Sequence, residues 1–468
     1  MANNEQGSLR HGAIKVTDLI MIAIGGMVGS AIFSLAGPTY LLAGPSAILT
    51  WVIAAGILAI YALNLAELAS AYRVAGGTFA FPALVIGKNI YRRTFIGWLS
   101  GWGRLWDVLI AISFTSLYFA QYLGALFPGA ERFQVSIAII TIIITAVFNS
   151  LGIKIMGKAN TALTVLLLLG CGIFIVFAFI NMNPSHFVPF FGQGTGGKNG
   201  IFQAIPIAML GYGCIIAVSN MAEEVENPKK NIPKAIFLGV GITAGLYVLM
   251  LIATYGLVPW QDFIDNPAAL YAPQRYAVET AMPQNIWLTK LISLGALLAL
   301  MTTLLVLCMD AGRTIMTVAR AGLMPSILGK VNTKTGTPIF AIVLASLVGI
   351  VLSIFPDVAL DIVKSGAMTQ AITIAIIAFT VIIHRRKTKV VDPEAFRAPG
   401  GIVFPILTII IVATLLTQFP LRVYIISLIG YGIGLLIYFT AYCTNRKNFA
   451  LISCDSNIKN EEDIVCTK

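Results

Sequence analysis

Charge is scarce in this chain. Only 11% of its 468 residues are charged, and 31 basic residues outnumber 20 acidic ones. A soluble domain carries charge on about a quarter of its residues, so a water-exposed globular fold is excluded. Histidine is scarcer still: His11, His186 and His384 are the only three. They lie near the ends of apolar runs or outside them, with neither metal-ligand spacing nor a triad pattern, which argues against a membrane enzyme and against a metal site. The six cysteines, at 171, 214, 308, 443, 454 and 466, fall in apolar runs or in the polar C-terminal segment, so no disulfide framework is expected. No GxxxxGK[ST] loop occurs, and ATP coupling within the chain is not expected. The final Cys466-Thr467-Lys468 is no prenylation signal.

What abounds is apolar sequence, 58% of the residues. A helix of about 20 residues crosses a hydrocarbon core of roughly 30 Å, and this ruler gives about twelve spans of an all-α integral membrane protein. They run over 18–42, 46–72, 94–126, 134–151, 160–180, 201–221, 235–257, 287–313, 339–355, 358–383, 402–418 and 422–442. The excess of +11 charges is carried by alternate segments counted from the N-terminus: Arg10 and Lys15, then Arg73, Lys88, Arg92 and Arg93, then Lys154 and Lys158, then Lys229, Lys230 and Lys234, then Arg320, Lys330 and Lys334, then Arg385, Arg386, Lys387 and Lys389, then Arg446 and Lys447. The positive-inside rule puts these segments and both termini in the cytoplasm, as expected for a multi-pass protein of the plasma membrane. The basic balance therefore needs no nucleic-acid partner. The polar start MANNEQGSLRHGAIK lacks a cleavage motif, so the first span is expected to act as an uncleaved anchor. Residues 448–468 are expected to form a short disordered end.

Two spans are interrupted. In the first, DLIMIAIGGMVGSAIFSLAGPTY, the glycines Gly25 and Gly26 and the run Gly29-Ser30-Ala31 fall near mid-depth. In the sixth, Gly211-Tyr212-Gly213 does the same. A helix break inside a bilayer has to face protein or a cavity, and matched breaks five spans apart point to two inverted repeats with a ligand site between them. The organisation is then a tail at 1–14, a first repeat at 15–183, a second at 184–390, two further spans at 391–445 and a tail at 446–468. The plain alternative is close helix packing, since Gly25 and Gly29 form a GxxxG spacing; two breaks at matching positions weigh against it.

The few charges inside spans are the next candidates. Asp107 lies within the third span, where an acid is by default functional, although Arg104 one turn away offers a local partner. Asp310 with Arg313, and Asp361 with Lys364, repeat that spacing and read as structural. Glu67, near the inner end of the second span, and Glu223 and Glu224, after the sixth, suit a polar inner gate. The alternative is a solvated loop that only fixes topology.

Five motifs occur in a fixed order: Gly29-Ser30-Ala31-Ile32-Phe33; Ala66-Glu67-Leu68 with Gly76-Gly77-Thr78-Phe79-Ala80-Phe81; the run from Glu223 to Ile236, which contains Asn227-Pro228 and Pro233; Gly312-Arg313 with Ala319 to Pro325; and Phe396-Arg397-Ala398-Pro399-Gly400. On these residues the chain resembles the amino acid-polyamine-organocation (APC) superfamily of secondary transporters over nearly its whole length. The resemblance implies a 5+5 inverted-repeat (LeuT-like) fold with broken helices one and six. It also implies a permease that moves a small-molecule substrate across the bilayer by alternating access, rocking helices one, two, six and seven against a scaffold. An amino acid substrate would set its carboxylate on the amides of Ser30, Ala31 and Ile32, at the positive end of a half-helix. Its ammonium would meet carbonyls near Ile24, Gly25, Leu210 and Tyr212, with Gly26, Gly29, Cys214 and Ile215 alongside.

No cofactor is implied beyond a coupling ion, Na⁺ or H⁺. For sodium, the carbonyls of Gly25 and Val28 with the hydroxyls of Thr302 and Thr303 form a hard-oxygen set; threonines bonding back to their own helix are the alternative. Three departures stand out. Ala31 replaces a glycine, Cys214-Ile215 replaces a glycine-aromatic pair so that Tyr212 is left to act as lid, and Leu167 stands where proton-coupled relatives often carry lysine. A polyamine or cationic amino acid transporter is the other reading within transport, with Asp107 as its discriminating residue. A non-transporting nutrient sensor would need a larger soluble part.

Overall fold

In lipid, a run of apolar residues has to pair its amides internally, and helix is the form that does so within one segment. The computed structural model describes residues 8–127, 129–266, 269–270, 272–355, 359–387, 395–446 and 449. Over them a helix stands at each apolar run. In chain order these are α1 (Val16–Ser34), α2 (Ala36–Ala43), α3 (Ala47–Ala71), α4 (Gly77–Val85), α5 (Ile90–Leu126), α6 (Gln134–Ser150), α7 (Ile153–Asn181), α8 (Gly200–Leu210) and α9 (Ile215–Asn220). There follow α10 (Pro228–Leu257), α11 (Asp262–Asp265), α12 (Pro273–Ala281), α13 (Ile286–Arg320), α14 (Ile339–Ser353), α15 (Ala359–Lys387), α16 (Val403–Leu416) and α17 (Leu421–Asn445). Among the described residues, eight helical stretches are long and apolar enough to cross a membrane. The helices α6, α14 and α16 are apolar but shorter, and α5 reaches 37 residues. Among the described residues there is no strand, only a parallel bridge between Ile14 and Val225. Residues 450–468, with Cys454, Cys466 and most of the expected tail, lie outside the described residues.

Local chemistry sets the ends. The Asn89 side chain accepts the Arg92 amide at 2.9 Å and caps α5. Pro228 opens α10 at a position whose amide needs no partner. The first span divides: α1 ends at Ser34, Leu35 turns, and α2 continues to Ala43, where Gly44 at φ +59° stops it.

Two helices organise the packing. α1 lies against α7, α10 and α13, and α5 lies against α13 and α15. The outer faces are apolar: Ile140, Ile143 and Val147 on α6, Leu166, Leu169 and Val176 on α7, and Leu428 and Leu436 on α17 are exposed. Arg104, Asp107, Glu224, Asp310 and Arg313 are buried. This reversal of a soluble protein's distribution is what a lipid surround selects, since charge costs most against hydrocarbon.

Candidate functional site

Both interruptions are present, and each coincides with tight packing. α1 leaves helical geometry at Gly29, with φ −36° and ψ −110°. A Cβ there would overlap Thr303 Oγ1 and lie 2.6 Å from the Ala299 carbonyl oxygen on α13. A Cβ at Gly25 would overlap Thr164 Oγ1 on α7. These glycines therefore serve close approach as well as the kink. In the sixth span α8 ends at Leu210, Gly211 to Cys214 turn, and helix resumes for only six residues in α9.

Carbonyls around the kink take side-chain donors. Thr302 Oγ1 is 2.9 Å from the Gly25 oxygen and 2.8 Å from the Ala299 oxygen of its own helix, and Thr303 Oγ1 donates to the Gly26 oxygen at 3.0 Å. The Tyr247 hydroxyl lies between the Met27 oxygen and the Gly211 oxygen, 2.9 Å from the latter. It thus joins the kink of α1 to the break after α8. Beyond the kink, Gln274 Nε2 donates to the Ile32 oxygen at 2.6 Å and Tyr122 to the Phe33 oxygen at 2.8 Å. Tyr247, Gln274 and Tyr122 carried no sequence signal, because a lone Tyr or Gln in an apolar helix shows its partner only after folding.

A cavity of about 60 Å³ opens where the kink, the break, α5, α13 and α15 meet. Gly26 and Ala31 border it from α1, and Leu210, Gly213 and Cys214 from the break. Its polar wall is Arg104, Asp107, Thr303 and Gln370; its remaining wall is mostly apolar, with Ile110, Phe114 and Leu307. Arg104 donates to Asp107 Oδ2 at 2.6 Å and to Asp310 Oδ2 through Nε at 2.9 Å and Nη2 at 2.7 Å. Gln370 Nε2 donates to Asp107 Oδ2 at 3.1 Å, and Asn220 at the end of α9 donates to Asp310 Oδ1. Asn220 is itself held by the amides of Gly76 and Thr78, each at 3.0 Å. Five segments thus converge on one guanidinium and two carboxylates.

Of the substrate candidates, Gly26, Ala31, Asp107, Leu210 and Cys214 border the cavity, and so does Thr303 of the ion candidates. Ile24, Gly25, Val28, Gly29, Ile32, Ile215 and Thr302 stand behind that wall, and the Ser30 side chain is outside the described residues. Tyr212 also stands behind it. Its ring packs against Trp51 and Tyr247 and its hydroxyl donates to the Trp51 oxygen at 3.3 Å, so it is a buried strut between α3 and α10. The carbonyls that meet Thr302 and Thr303 belong to Gly25 and Gly26, and Val28 is not among them.

The charged pairs differ from their sequence spacing. Arg104 does bind Asp107 locally, but it is shared with Asp310. Arg313 is not the partner of Asp310: it forks onto Glu224, at 2.6 and 3.0 Å. Glu67 forks onto Arg385 of α15, at 2.7 and 2.5 Å, and accepts the Ala398 amide at 2.8 Å. Hence two of the sequence motifs around Glu67 and Phe396 meet, as do those around Glu224 and Arg313. Glu67 and Glu224 thus belong to separate pairs. Glu223 is outside the spans; burial raises its carboxyl above the ordinary range, while Arg320 and His11 pull it back.

Apolar outer helices and two interrupted inner ones, with a small cavity where they meet, define a multi-pass membrane protein. The chain belongs to the amino acid permease family, whose family model matches residues 14–439. It is an amino acid transporter. It is 29% identical over 447 residues to the branched-chain amino acid permease BcaP of Bacillus subtilis (strain 168), covering 90% of this chain and 91% of that one. It is 30% identical over 377 residues to the chloroplastic cationic amino acid transporter 6 of Arabidopsis thaliana, covering 75% of this chain and 62% of that longer protein. The methylthioribose transporter of Bacillus subtilis (strain 168) is 24% identical over 446 residues, with 90% and 91% covered.

Proposed function

We propose that this permease is a secondary active transporter of the plasma membrane that works by alternating access, with the amino acid held where the kink of α1 faces the break after α8. The observation that carries the reading is the cavity bordered by Gly26, Ala31, Leu210, Gly213 and Cys214, so that both interruptions contribute to one wall. A zwitterion is costly to desolvate unless both ends are paired. Backbone amides around Ser30 to Ile32 suit its carboxylate, and carbonyls of Ile24, Gly25, Leu210 and Tyr212 suit its ammonium. The twelve helical segments read as twelve crossings, with repeats at 15–183 and 184–390, two added helices at 391–445 and both termini cytoplasmic. The rocking bundle comprises the first, second, sixth and seventh spans. The ion pairs Glu67–Arg385 and Glu224–Arg313 and the half-buried Glu223 would then close the inner side.

Two amino acid classes fit. The apolar wall of Ile110, Phe114 and Leu307 suits an aliphatic side chain, and Asp107 on the same cavity suits a cationic one. For the coupling ion, Thr302 and Thr303 already use their hydroxyl protons on carbonyls. That arrangement is a staple between α1 and α13, and no step is assigned to sodium. Counterflow of labelled amino acids and diamines into liposomes holding the purified protein tests the reading. Transient accumulation of leucine, or of lysine, is expected; a panel with no accumulation of any member would contradict it.

A further inference from the structure

The cluster beside the cavity does not balance. Arg104 supplies one positive charge, Asp107 and Asp310 two negative ones, and all three are buried, the most exposed at 6%. The neighbouring guanidiniums are engaged elsewhere, Arg313 by Glu224 and Arg385 by Glu67. A buried ionised carboxylate without its own countercharge is costly enough that such groups take up a proton instead. The two acids are not equivalent. Asp310 has both oxygens filled, Oδ2 by two Arg104 N–H groups and Oδ1 by the Asn220 amide, and it does not border the cavity. Asp107 has Oδ2 filled by Arg104 and Gln370, whereas its Oδ1 accepts no hydrogen bond from the described residues, and the side chain borders the cavity.

We propose that Asp107 is the proton-binding carboxylate of this transporter, taking one proton at Oδ1 from the cavity and so cancelling the single excess charge of the Arg104–Asp107–Asp310 cluster. The proposal rests on the transport reading above and adds the coupling ion to it. The step forms one O–H bond and breaks none within the cluster: carboxylate plus proton gives carboxylic acid. The acid then presents a donor to the cavity that the carboxylate lacks, which lets proton and amino acid bind interdependently.

The groups facing Asp107 from the elements packed around it support one proton and no more. They are Arg104 on its own helix, Asp310 on α13, Tyr61 on α3 and Cys214 at the break, while α15 contributes only the uncharged Gln370 and Gly366. Around the cluster, the hydroxyls of Tyr61, Thr78, Ser100 and Thr314 are buried without a partner among the described residues. Ser100 is one helical turn from Arg104, and Thr314 one turn from Asp310. Buried hydroxyls of this kind call for hydrogen-bonding partners and supply the steps a proton relay uses.

The test uses purified full-length protein in liposomes, with labelled leucine or lysine, whichever shows counterflow. A gradient of one pH unit, alkaline inside, is expected to accumulate label about tenfold for one proton per substrate, and a sodium gradient to add nothing. In Asp107→Asn the stimulation by the pH gradient, expressed relative to that variant's own exchange, falls to one. Infrared difference spectra of the protein without substrate are expected to show one carboxylic acid band that titrates in wild type and is lost in Asp107→Asn. In Asp310→Asn its midpoint moves to lower pH, because removing a like charge favours ionised Asp107. Exchange without a response to pH, or a titrating band that persists in Asp107→Asn, overturns the proposal and leaves the transport reading intact. Absence of counterflow for every amino acid contradicts the transport reading instead, and the infrared titration still decides the proton site.

Discussion

Single hydroxyls carry much of the coupling between the two interruptions. Tyr247→Phe removes the O–H that lies between the carbonyls of Met27 and Gly211. It is expected to lower stability by about 1–3 kcal/mol, the cost of leaving a buried polar group unsatisfied, and to slow exchange. Thermal melting in detergent and liposome exchange, measured on one preparation, check both effects. Glu223 gives a pH signature outside the spans. Its carboxyl is raised by burial, so it contributes stability at low pH that is lost as pH rises through its folded-state value. Glu223→Gln, which keeps the neutral form, is expected to flatten that fall in melting temperature above the ordinary carboxylate range; an identical slope in both proteins would contradict it.

At the scale of elements, glycine placement was legible in the sequence and its full reason was not. Gly25, Gly29 and Gly211 to Gly213 marked both interruptions, because few other residues tolerate a break at mid-depth. What the spacing could not show is that Gly29 also lets α1 touch α13. Gly29→Ala should overpack that contact and cost about 1–3 kcal/mol, seen as a lower melting temperature with binding weakened alongside. A melting curve like wild type would count against the contact. The charges were less legible than the glycines. Spacing paired Asp310 with Arg313, but helix crossing gave Asp310 to Arg104 and Arg313 to Glu224. Partners that sit on different helices leave no periodic trace. Breaking the buried Glu224–Arg313 fork with Glu224→Gln is expected to cost about 3–5 kcal/mol, and a loss under 1 kcal/mol in a denaturation series would show the pair to be dispensable.

For the whole molecule, apolar run length located the long helices, since a chain in lipid has few other ways to satisfy its backbone, whereas α4, α11 and α12 lie between those runs and left no such signal. The cavity was only half legible: Gly26, Ala31, Asp107, Leu210 and Cys214 were in the sequence reading, whereas Gln370 and the sharing of Arg104 emerge from the crossing of α5, α13 and α15. Substrate is expected to occupy the space between the two interruptions. Equilibrium binding of the labelled amino acid that exchanges, to wild type and to Ala31→Phe, tests it most directly, because Ala31 borders that cavity and a phenyl ring would fill it. With both proteins eluting as the same single species, the prediction is saturable binding to wild type and at least a hundredfold loss in the variant, about 2.7 kcal/mol. Wild-type affinity in Ala31→Phe would place the substrate elsewhere.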